Sequence, residues 1–316
     1  MSSGLPAPSV TGLVTHWAPQ PVAIVAAVAL VAWYWRGVRA LPAGSWPVSR
    51  VVTFAVGVAL ALWTTCGFPQ AYHDSLFWIY TSQQLGLLLI IPALILGGGP
   101  LRLAVIRGGP TGRVQRVLDS GPIQALSFPL IGPALVPIAS VVLFFGPVPG
   151  WAVAVPAFGW VLQLLVIATG GLVVLRLIGL QSTPSSMAVG LALAIGSFEL
   201  VLDAVPGIVL RLHRTLSTTY FDHRLVHVWA QSPVHDQQLA GSILWSVSEL
   251  VDLPFLLLVF RQWIRADARD AAAVDAVLEA ERIVRRPPEQ PSDQPERDVP
   301  WWLDDPAMKN RLKRQG

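Results

Sequence analysis

The chain has 316 residues, of which 53% are hydrophobic and 13% are charged, and its formal net charge is +3. A soluble domain usually carries about 25% charged residues, so this composition excludes an ordinary soluble protein and indicates a polytopic membrane protein. The basic residues lie in short loops beside apolar segments, which argues against a partner that is a nucleic acid.

Seven apolar segments approach the length that a helix needs to cross a bilayer core of roughly 30 Å. They cover residues 21–35, 51–67, 76–103, 123–145, 151–178, 187–210 and 239–263. The fourth contains three prolines spaced by four, which predicts a kinked helix. No Lys/Arg-rich start of a secretory signal precedes the first, so we expect it to be retained. The sequence therefore predicts an all-α fold, a polytopic membrane helix bundle with about seven transmembrane helices and the lipid bilayer around it.

The distribution of Lys and Arg predicts the orientation of this bundle. The loops after the first and third segments are basic, as is the C-terminal tail, whereas the loops after the second and fourth segments contain no Lys or Arg. Basic loops stay in the cytoplasm, so we expect the N-terminus outside and the C-terminus in the cytoplasm. The loop between the sixth and seventh segments is the exception, since it contains Arg211, Arg214 and Arg224.

The composition changes after the seventh segment. Residues 266–286 are rich in Ala, Glu, Asp and Arg, which predicts a cytoplasmic amphipathic helix with solvated charge pairs. Residues 287–316 begin with a stretch rich in Pro, Glu, Gln and Asp, which predicts a disordered cytoplasmic tail. The predicted organisation is therefore a transmembrane bundle over residues 1–265 followed by these two regions.

All six histidines fall on the predicted outer side, and imidazole is the commonest biological ligand for copper and zinc. His223 and His227 would share one face if their loop is helical, because they are spaced i, i+4. His235 and Asp236 lie just before the seventh segment. These four residues are the candidate metal ligands, and the alternative is that the histidines are simply solvated. The single cysteine, Cys66, excludes an intrachain disulfide. It is interpreted as a packing residue, and the alternative is a soft Cu(I) ligand on the same side as the histidines.

Four acidic residues lie inside predicted membrane helices. Glu199 and Asp203 are spaced i, i+4 in the sixth segment, and Glu249 and Asp252 are spaced i, i+3 in the seventh. A charge at mid-depth costs about 2.5–3.5 kcal/mol on insertion scales. These carboxyls must therefore be protonated, hydrogen-bonded or neutralised by a cation. They either join the two helices or move protons or metal ions, and the sequence leaves both interpretations open.

No Walker loop, GxGxxG, GxSxG or HExxH motif is present, so the sequence predicts that the protein is not an enzyme. The segment that begins at Asp236, DQQLAGSILWSVSELVDLPFLLLVFRQWIRADARDAAAVDA, resembles the last membrane helix of the cytochrome c oxidase assembly factor CtaG family. Residues 76–103 resemble that family's third segment through Pro92, Gly97 and Pro100. The resemblance covers residues 50–275. The individual positions that match, interpreted first as structural or interface positions, are Gln83, Asp236, Gln237, Gly241, Trp245 and Glu249.

The resemblance implies a role in assembling the copper centres of haem–copper oxidases. It implies cytochrome c oxidase subunits as partners, copper as the ion that is handled, and a multi-pass protein of the bacterial plasma membrane. The family's usual histidine pair aligns with Tyr80 and Gln84, so we expect an altered metal site in this chain. The expected function is oxidase assembly at the outer face, by copper handling or subunit docking, and docking is favoured. The alternatives are a proton- or metal-coupled transporter that uses the four carboxylates, and a purely structural membrane subunit.

Overall fold

The computed structural model describes residues 5–42, 44–109, 112, 116, 120, 131–179 and 186–285. All the regular elements within these ranges are helical. In chain order they are α1 (Gly12–Thr15), α2 (Pro21–Arg39), α3 (Val48–Cys66), α4 (Phe68–Tyr72), α5 (Phe77–Leu85), a π-helical turn (Gly86–Ile90), α6 (Ile91–Gly97), α7 (Pro100–Gly108), α8 (Ile131–Phe144), α9 (Val148–Ala154), α10 (Pro156–Gly179), α11 (Ser186–Leu212), α12 (Tyr220–His223) and α13 (Pro233–Arg285).

Five helical stretches in the described part of the chain are long and apolar enough to cross a membrane. They are Pro21–Arg39, Val48–Tyr72, Phe77–Gly97, Pro156–Leu175 and Val189–Leu212. Large apolar side chains on these helices are exposed, as expected for side chains that face lipid, including Val25, Leu165 and Phe198. The predicted all-α, membrane-type fold is confirmed. The count of seven spans and the orientation stay predictions.

Within the described residues, the fourth and seventh predicted segments form helix but contribute no further candidate span. Within the fourth, the structure describes a shorter apolar helix, Leu135–Phe144, and residues 123–130 lie outside the described ranges. The seventh lies within α13. The fifth predicted segment is interrupted at Val155, which has extended φ and ψ angles of −124° and 99°. The proline that follows, Pro156, disfavours a helical conformation at the preceding residue, so α9 ends there and α10 begins.

The central element of the bundle is the α5–α6 helix, whose side chains Phe77, Leu87 and Leu88 are buried. It packs against α3 and α10. Its π-helical turn has a local cause. Pro92 has no N–H to donate to the carbonyl four residues earlier, and the ladder widens so that the Ile91 N–H bonds to the Gly86 carbonyl. The predicted single segment 76–103 thus forms two separate helices, the continuous α5–α6 helix and α7, because α6 ends before Gly99.

Four segments meet at one end of the bundle, which we call the loop end: residues 5–20, 67–76, 145–156 and 213–235. They were predicted to lie largely on the outer side of the membrane, but residues 151–156 were predicted to begin the fifth membrane segment. Backbone hydrogen bonds join Ala18 to Cys66 and Leu225 to Asp74, with N···O distances of 2.7 Å and 2.8 Å. A further bond of 3.1 Å runs from the Gly146 N–H to the Ser217 carbonyl. The compartment that the loop end faces stays a prediction.

The described structure divides into two compact units, Met1–Ala266 and Asp267–Gly316. In the second unit, residues 267–285 are helical, and the side chains of residues 267–282 are exposed. Glu279 and Arg282 form an exposed ion pair there, with an N···O distance of 3.4 Å. The predicted disordered tail, residues 287–316, lies outside the described residues. The cytoplasmic location of residues 266–286 stays a prediction.

Candidate docking surface at the loop end

Asp236 lies in the first turn of α13 and joins that helix to the first turn of α5. Its carboxylate oxygens accept hydrogen bonds from the backbone N–H groups of Phe77 and Trp78, at 2.9 Å and 3.0 Å. These are the first N–H groups of α5, which have no partner within their own helix. Arg224 also contacts the carboxylate, at 3.4 Å. Asp236 therefore acts as an N-terminal cap supplied by another helix.

The electrostatics of this cap combine two opposing effects. Burial raises the pKa of Asp236 above its usual value, because a carboxylate loses its hydration there. The N–H groups of Phe77 and Trp78 and the charge of Arg224 lower the pKa, and the effect of burial is larger. The Asp236 carboxyl and the Arg224 guanidinium are both buried. Loss of either partner would leave the other buried and unpaired.

The neighbouring side chain, Gln237, fixes the loop before α12. Its Oε1 accepts a hydrogen bond from the Ser217 N–H at 2.8 Å, and its Nε2 donates to the Thr215 carbonyl at 3.0 Å. Gln237 is fully buried. The two consecutive side chains therefore bind different segments: Asp236 binds the start of α5, and Gln237 binds the loop before α12.

Gly241, one turn further along α13, allows α11 to approach closely. A Cβ atom at Gly241 would lie 2.5 Å from the backbone nitrogen of Arg211 and 2.7 Å from the carbonyl oxygen of Gly207. Real Cβ contacts are longer than this, so only glycine fits. Trp245, the next matched position, donates from Nε1 to the Glu249 carboxylate at 2.9 Å.

Tyr220 is a buried tyrosine that the sequence analysis did not identify. Its hydroxyl donates to the His73 carbonyl at 2.8 Å, and its ring packs against Phe77, Tyr80 and Phe221. Burial raises the pKa of Tyr220 well above its usual value, and the charge of Asp236 acts in the same direction. The hydroxyl therefore stays protonated and remains a donor. The one feature of the sequence that could have indicated its burial is that Tyr220 is an aromatic residue inside a polar loop.

Amide side chains form a buried network beside this aromatic cluster. The Gln70 Oε1 accepts from the Nε2 atoms of Gln83 and Gln163, at 2.8 Å and 3.1 Å. The Gln83 Nε2 also donates to the Thr64 carbonyl at 3.0 Å. The four helices α3, α4, α5 and α10 are therefore joined through side-chain amides. Gln83, which the resemblance marked as structural, lies at the centre of the network.

A cleft of about 170 Å³ opens on this network. Its polar lining is Gln20, Gln70, His73, Asp74 and Gln163, and its apolar lining includes Trp160. We call it the loop-end cleft. His73 is the histidine that lines it. Gln20, Gln163 and Trp160 were not candidates in the sequence analysis, because they come from separate segments with no shared pattern.

His73 presents one defined tautomer to this environment. Its Nδ1 lies 2.7 Å from the Gln70 carbonyl oxygen, and a carbonyl only accepts, so Nδ1 carries the proton. Burial lowers the pKa of His73 below its usual value, although Asp74 and the hydrogen bond to Gln70 oppose that shift. The ring is therefore neutral near pH 7, and Nε2 keeps its lone pair.

Tyr80 and Gln84 are both buried on α5. The Tyr80 hydroxyl donates to the Leu143 carbonyl at 3.2 Å, close to the C-terminus of α8. The Oε1 of Gln84 has no hydrogen-bond partner among the described residues. The two positions where the resemblance would place histidines thus contain a packed tyrosine and a buried amide.

The four candidate metal ligands differ in their surroundings. α12 ends at His223, so His223 and His227 do not lie on one helical face. The His227 ring stacks on Trp229 with a centroid distance of 4.8 Å, while His223 and His235 are exposed. Within the described ranges, no group of three His, Cys, Asp or Glu residues is placed to hold a metal ion. The metal assignment, including Asp236, stays a prediction.

The structure describes the side chains of two of the four acidic residues that were predicted to lie inside membrane helices. Asp203 is buried, with 3% of its surface exposed, and Glu249 is the residue that accepts from Trp245. The side chains of Glu199 and Asp252 lie outside the described residues. The choice between a structural and a transport role for these four residues stays open.

Comparison with known proteins supplies the family context. The family model described as cytochrome c oxidase caa3 assembly factor (Caa3_CtaG) matches residues 32–266, about three quarters of the chain. The chain is 27% identical over 288 residues to "Uncharacterized protein Mb0105" of Mycobacterium bovis and to "Uncharacterized protein MT0111" of Mycobacterium tuberculosis. It is 25% identical over 269 residues to "Uncharacterized protein ML1998" of Mycobacterium leprae.

These matches cover most of the chain but less than half of each relative. The first two cover 85% of this chain and 42% of the relative, and the third covers 80% and 40%. The chain therefore spans about two fifths of the length of the curated relatives that it matches. No solved structure matches it.

Proposed function

Because the chain belongs to the cytochrome c oxidase caa3 assembly factor family, we propose that it assists the maturation of a respiratory haem–copper oxidase at the outer face of the plasma membrane. It does so by docking an oxidase subunit on the loop end, and it is not an enzyme. The observation that carries the docking mechanism is the fixed geometry of that surface. Asp236 and Gln237 hold segments that are distant in sequence, and a preorganised surface binds a partner at a lower entropic cost.

Copper, which would be cargo rather than a resident cofactor, fits the described donor set poorly. Cu(I) prefers thiolate, thioether and imidazole ligands, and Tyr80 and Gln84 supply none of these. Cys66 is buried, with its Sγ 3.9 Å from the Gln20 carbonyl. His73 is the single imidazole on the loop-end cleft. Subunit docking is therefore the better-supported mechanism, and copper handling through His73 is the competing one.

Deletion of the gene tests the assembly function. The copper-dependent absorption spectrum and the copper content of the oxidase are measured in the deletion strain and after complementation with the wild-type chain. We expect both to fall on deletion and to return on complementation. Unchanged spectra and copper content would contradict the assembly function in either form.

Two point variants separate docking from copper handling. Trp160→Ala removes an exposed aromatic side chain from the loop-end cleft, and Trp33→Ala is its control, because Trp33 on α2 is exposed to a similar extent (39% against 40%) but lies outside the loop end and does not line the cleft. Docking predicts that Trp160→Ala lowers co-purification of oxidase subunits. Copper handling predicts instead that His73→Ala lowers oxidase copper while co-purification persists, with the exposed His213→Ala as control.

One observation favours a second function, a proton- or metal-coupled transporter. Asp203 is buried within the candidate span Val189–Leu212, and an ionisable residue at membrane depth often marks an ion pathway. The transport function predicts that Asp203→Asn abolishes ion flux in proteoliposomes. Flux equal to that of the wild type would remove this alternative.

A further inference from the structure

A second cleft lies at the end of the bundle where α2 ends and α3 and α7 begin. It has a volume of about 330 Å³, and its lining residues are Leu41, Pro42, Ser45, Trp46, Pro47, Arg50, Arg102 and Ile106. Three candidate spans end beside it, since α2 ends at Arg39, α3 begins at Val48 and α6 ends at Gly97. The cleft therefore lies at the depth of lipid headgroups. We call it the arginine cleft.

The aromatic wall of this cleft is fixed by a chain of buried hydrogen bonds. The Trp46 Nε1 donates to the Tyr34 hydroxyl at 2.9 Å, and that hydroxyl donates to the Gly98 carbonyl at 2.9 Å. The Tyr34 ring stacks on Phe54 with a centroid distance of 3.8 Å. Gly98 permits this arrangement, because a Cβ atom there would lie 2.5 Å from the Phe54 Cβ. Trp46 is thus held by contacts from α2, α3 and the turn before α7.

Packing also positions the Arg50 side chain and the helix that carries Arg102. The Arg50 guanidinium lies over the Trp46 ring, 5.2 Å from its centroid. Arg102 precedes Leu103, which is fully buried and packs where Gly37 leaves space on α2. α7 is therefore anchored against α2, and Arg102 is carried to the cleft on a fixed helix.

Within the part of the chain that the structure describes, neither Arg50 nor Arg102 forms an ion pair with a carboxylate. The sequence gives the reason. The first 118 residues contain one acidic residue, Asp74, which lies at the loop end, and seven arginines. Arg50 is half-buried and Arg102 is exposed, and both line the cleft beside apolar walls. Two guanidinium groups that lack a counter-ion among the described residues favour an anion that enters from outside the protein.

We propose that the arginine cleft binds the headgroup of an anionic phospholipid from the leaflet that this end of the bundle contacts. Guanidinium groups form paired, charge-assisted hydrogen bonds with phosphate oxygens, and basic pockets between membrane helices bind anionic headgroups. The Ser45 hydroxyl donates to the Pro42 carbonyl at 2.7 Å, and its oxygen can accept a hydrogen bond from a hydroxyl of the headgroup. Leu41 and Ile106 supply apolar surface for the glycerol and the first acyl carbons. A phospholipid can contact both the polar and the apolar residues that line the cleft, whereas free phosphate can contact only the polar ones.

Binding of defined lipids to the purified full-length protein tests the proposal. Native mass spectrometry with increasing phosphatidylglycerol gives an apparent Kd for the first bound lipid. Arg50→Ala and Arg102→Ala should each raise it roughly fivefold, and the double variant about 25-fold. Arg107→Ala is the matched control, since it removes the same charge from α7 but does not line the cleft. It should leave the first Kd unchanged.

Three outcomes would overturn the proposal. An equal effect of Arg107→Ala would mean a diffuse surface charge without a site. Equal binding of phosphatidylcholine would mean ordinary boundary lipid, and displacement of phosphatidylglycerol by equimolar inorganic phosphate would mean a free-anion site. If Arg50→Ala fails to fold, Arg50→Lys serves in its place, since it keeps the charge and loses the paired geometry. The proposal then requires Arg50→Lys to raise the Kd above that of the wild type, but by less than Arg102→Ala raises it.

Discussion

The carboxylate of Asp236 lies 2.9 Å from the backbone nitrogen of Phe77, although 159 residues separate the two in sequence. The contact joins the first turn of α13 to the first turn of α5, the helix around which the main core packs. A negative charge at a helix N-terminus is stabilised by the helix dipole as well as by the N–H groups. The contact therefore connects the element that organises the core to the surface on which we place docking.

Removal of the Asp236 carboxylate should destabilise the fold strongly. Asp236→Ala leaves two N–H groups and the Arg224 guanidinium buried without their acceptor, and we expect a loss of about 3–5 kcal/mol in the free energy of unfolding. Asp236→Asn keeps one acceptor and should cost about 1–3 kcal/mol. Denaturant unfolding in detergent micelles measures both. Asp222→Asn, an exposed control, should change stability by less than about 0.5 kcal/mol. Equal effects at Asp236 and Asp222 would contradict the capping role.

The same residue should give the fold a pH dependence in the acidic range. Burial raises the pKa of folded Asp236 above its usual 3.8, so the folded state binds a proton more tightly than the unfolded state. This contribution to stability is full below pH 3.8 and is lost as the pH rises through the folded pKa. Asp236→Asn should remove that slope from a plot of unfolding midpoint against pH. A slope that persists in the variant must come from another group.

Two adjacent glycines of α10 should respond very differently to substitution. A Cβ atom at Gly170 would collide with the Leu88 carbonyl in the π-helical turn, whereas one at Gly171 would meet no neighbouring atom. Gly170→Ala should therefore cost about 1–3 kcal/mol. Gly171→Ala should be neutral, or stabilising by up to about 1 kcal/mol, because alanine favours helix. Thermal unfolding of the two variants checks this, and equal shifts would mean that α10 does not approach the turn as described.

The helices were predictable because hydropathy and proline rules act locally. The span Phe77–Gly97 followed from the length and apolar character of residues 76–103, and Pro92 and Pro156 are local causes of the π-helical turn and of the break before α10. The positions that the resemblance matched in α13 have structural contacts: Gln237 fixes a loop and Gly241 permits a helix crossing. These are features that a short stretch of sequence contains.

The contacts that build the loop end were not predictable in this way. No local pattern indicates that Asp236 would cap α5, because its partners are backbone groups in a remote segment. Tyr220 occurs in a polar loop and becomes buried only when α12 packs against α5. His223 and His227 have helical spacing, yet α12 ends at His223. Spacing predicts a shared face only where the helix continues through both residues.

His73 should give the fold a second pH dependence, of opposite sign. Burial lowers the pKa of folded His73 below its usual 6.5, against the opposing effects of Asp74 and Gln70. The unfolded state therefore binds the proton more tightly. The stability contributed by neutral His73 is present above pH 6.5 and is lost as the pH falls through the folded pKa. His73→Gln should flatten this part of the profile. His213→Gln, at an exposed position, should not, and a profile unchanged by His73→Gln would mean that the ring is solvated.

Tyr80 provides the test that separates packing from chemistry at the position where the family resemblance places a histidine. Its hydroxyl donates to the Leu143 carbonyl, one of the last four carbonyls of α8, which lack intrahelical partners. Tyr80→Phe removes this bond and keeps the ring, so the free energy of unfolding should fall by about 0.5–1.5 kcal/mol. Because docking does not use the hydroxyl, oxidase copper content should stay at the wild-type level in a strain that carries the variant. A normal unfolding free energy together with reduced oxidase copper would show that the Tyr80 hydroxyl acts in maturation rather than in packing.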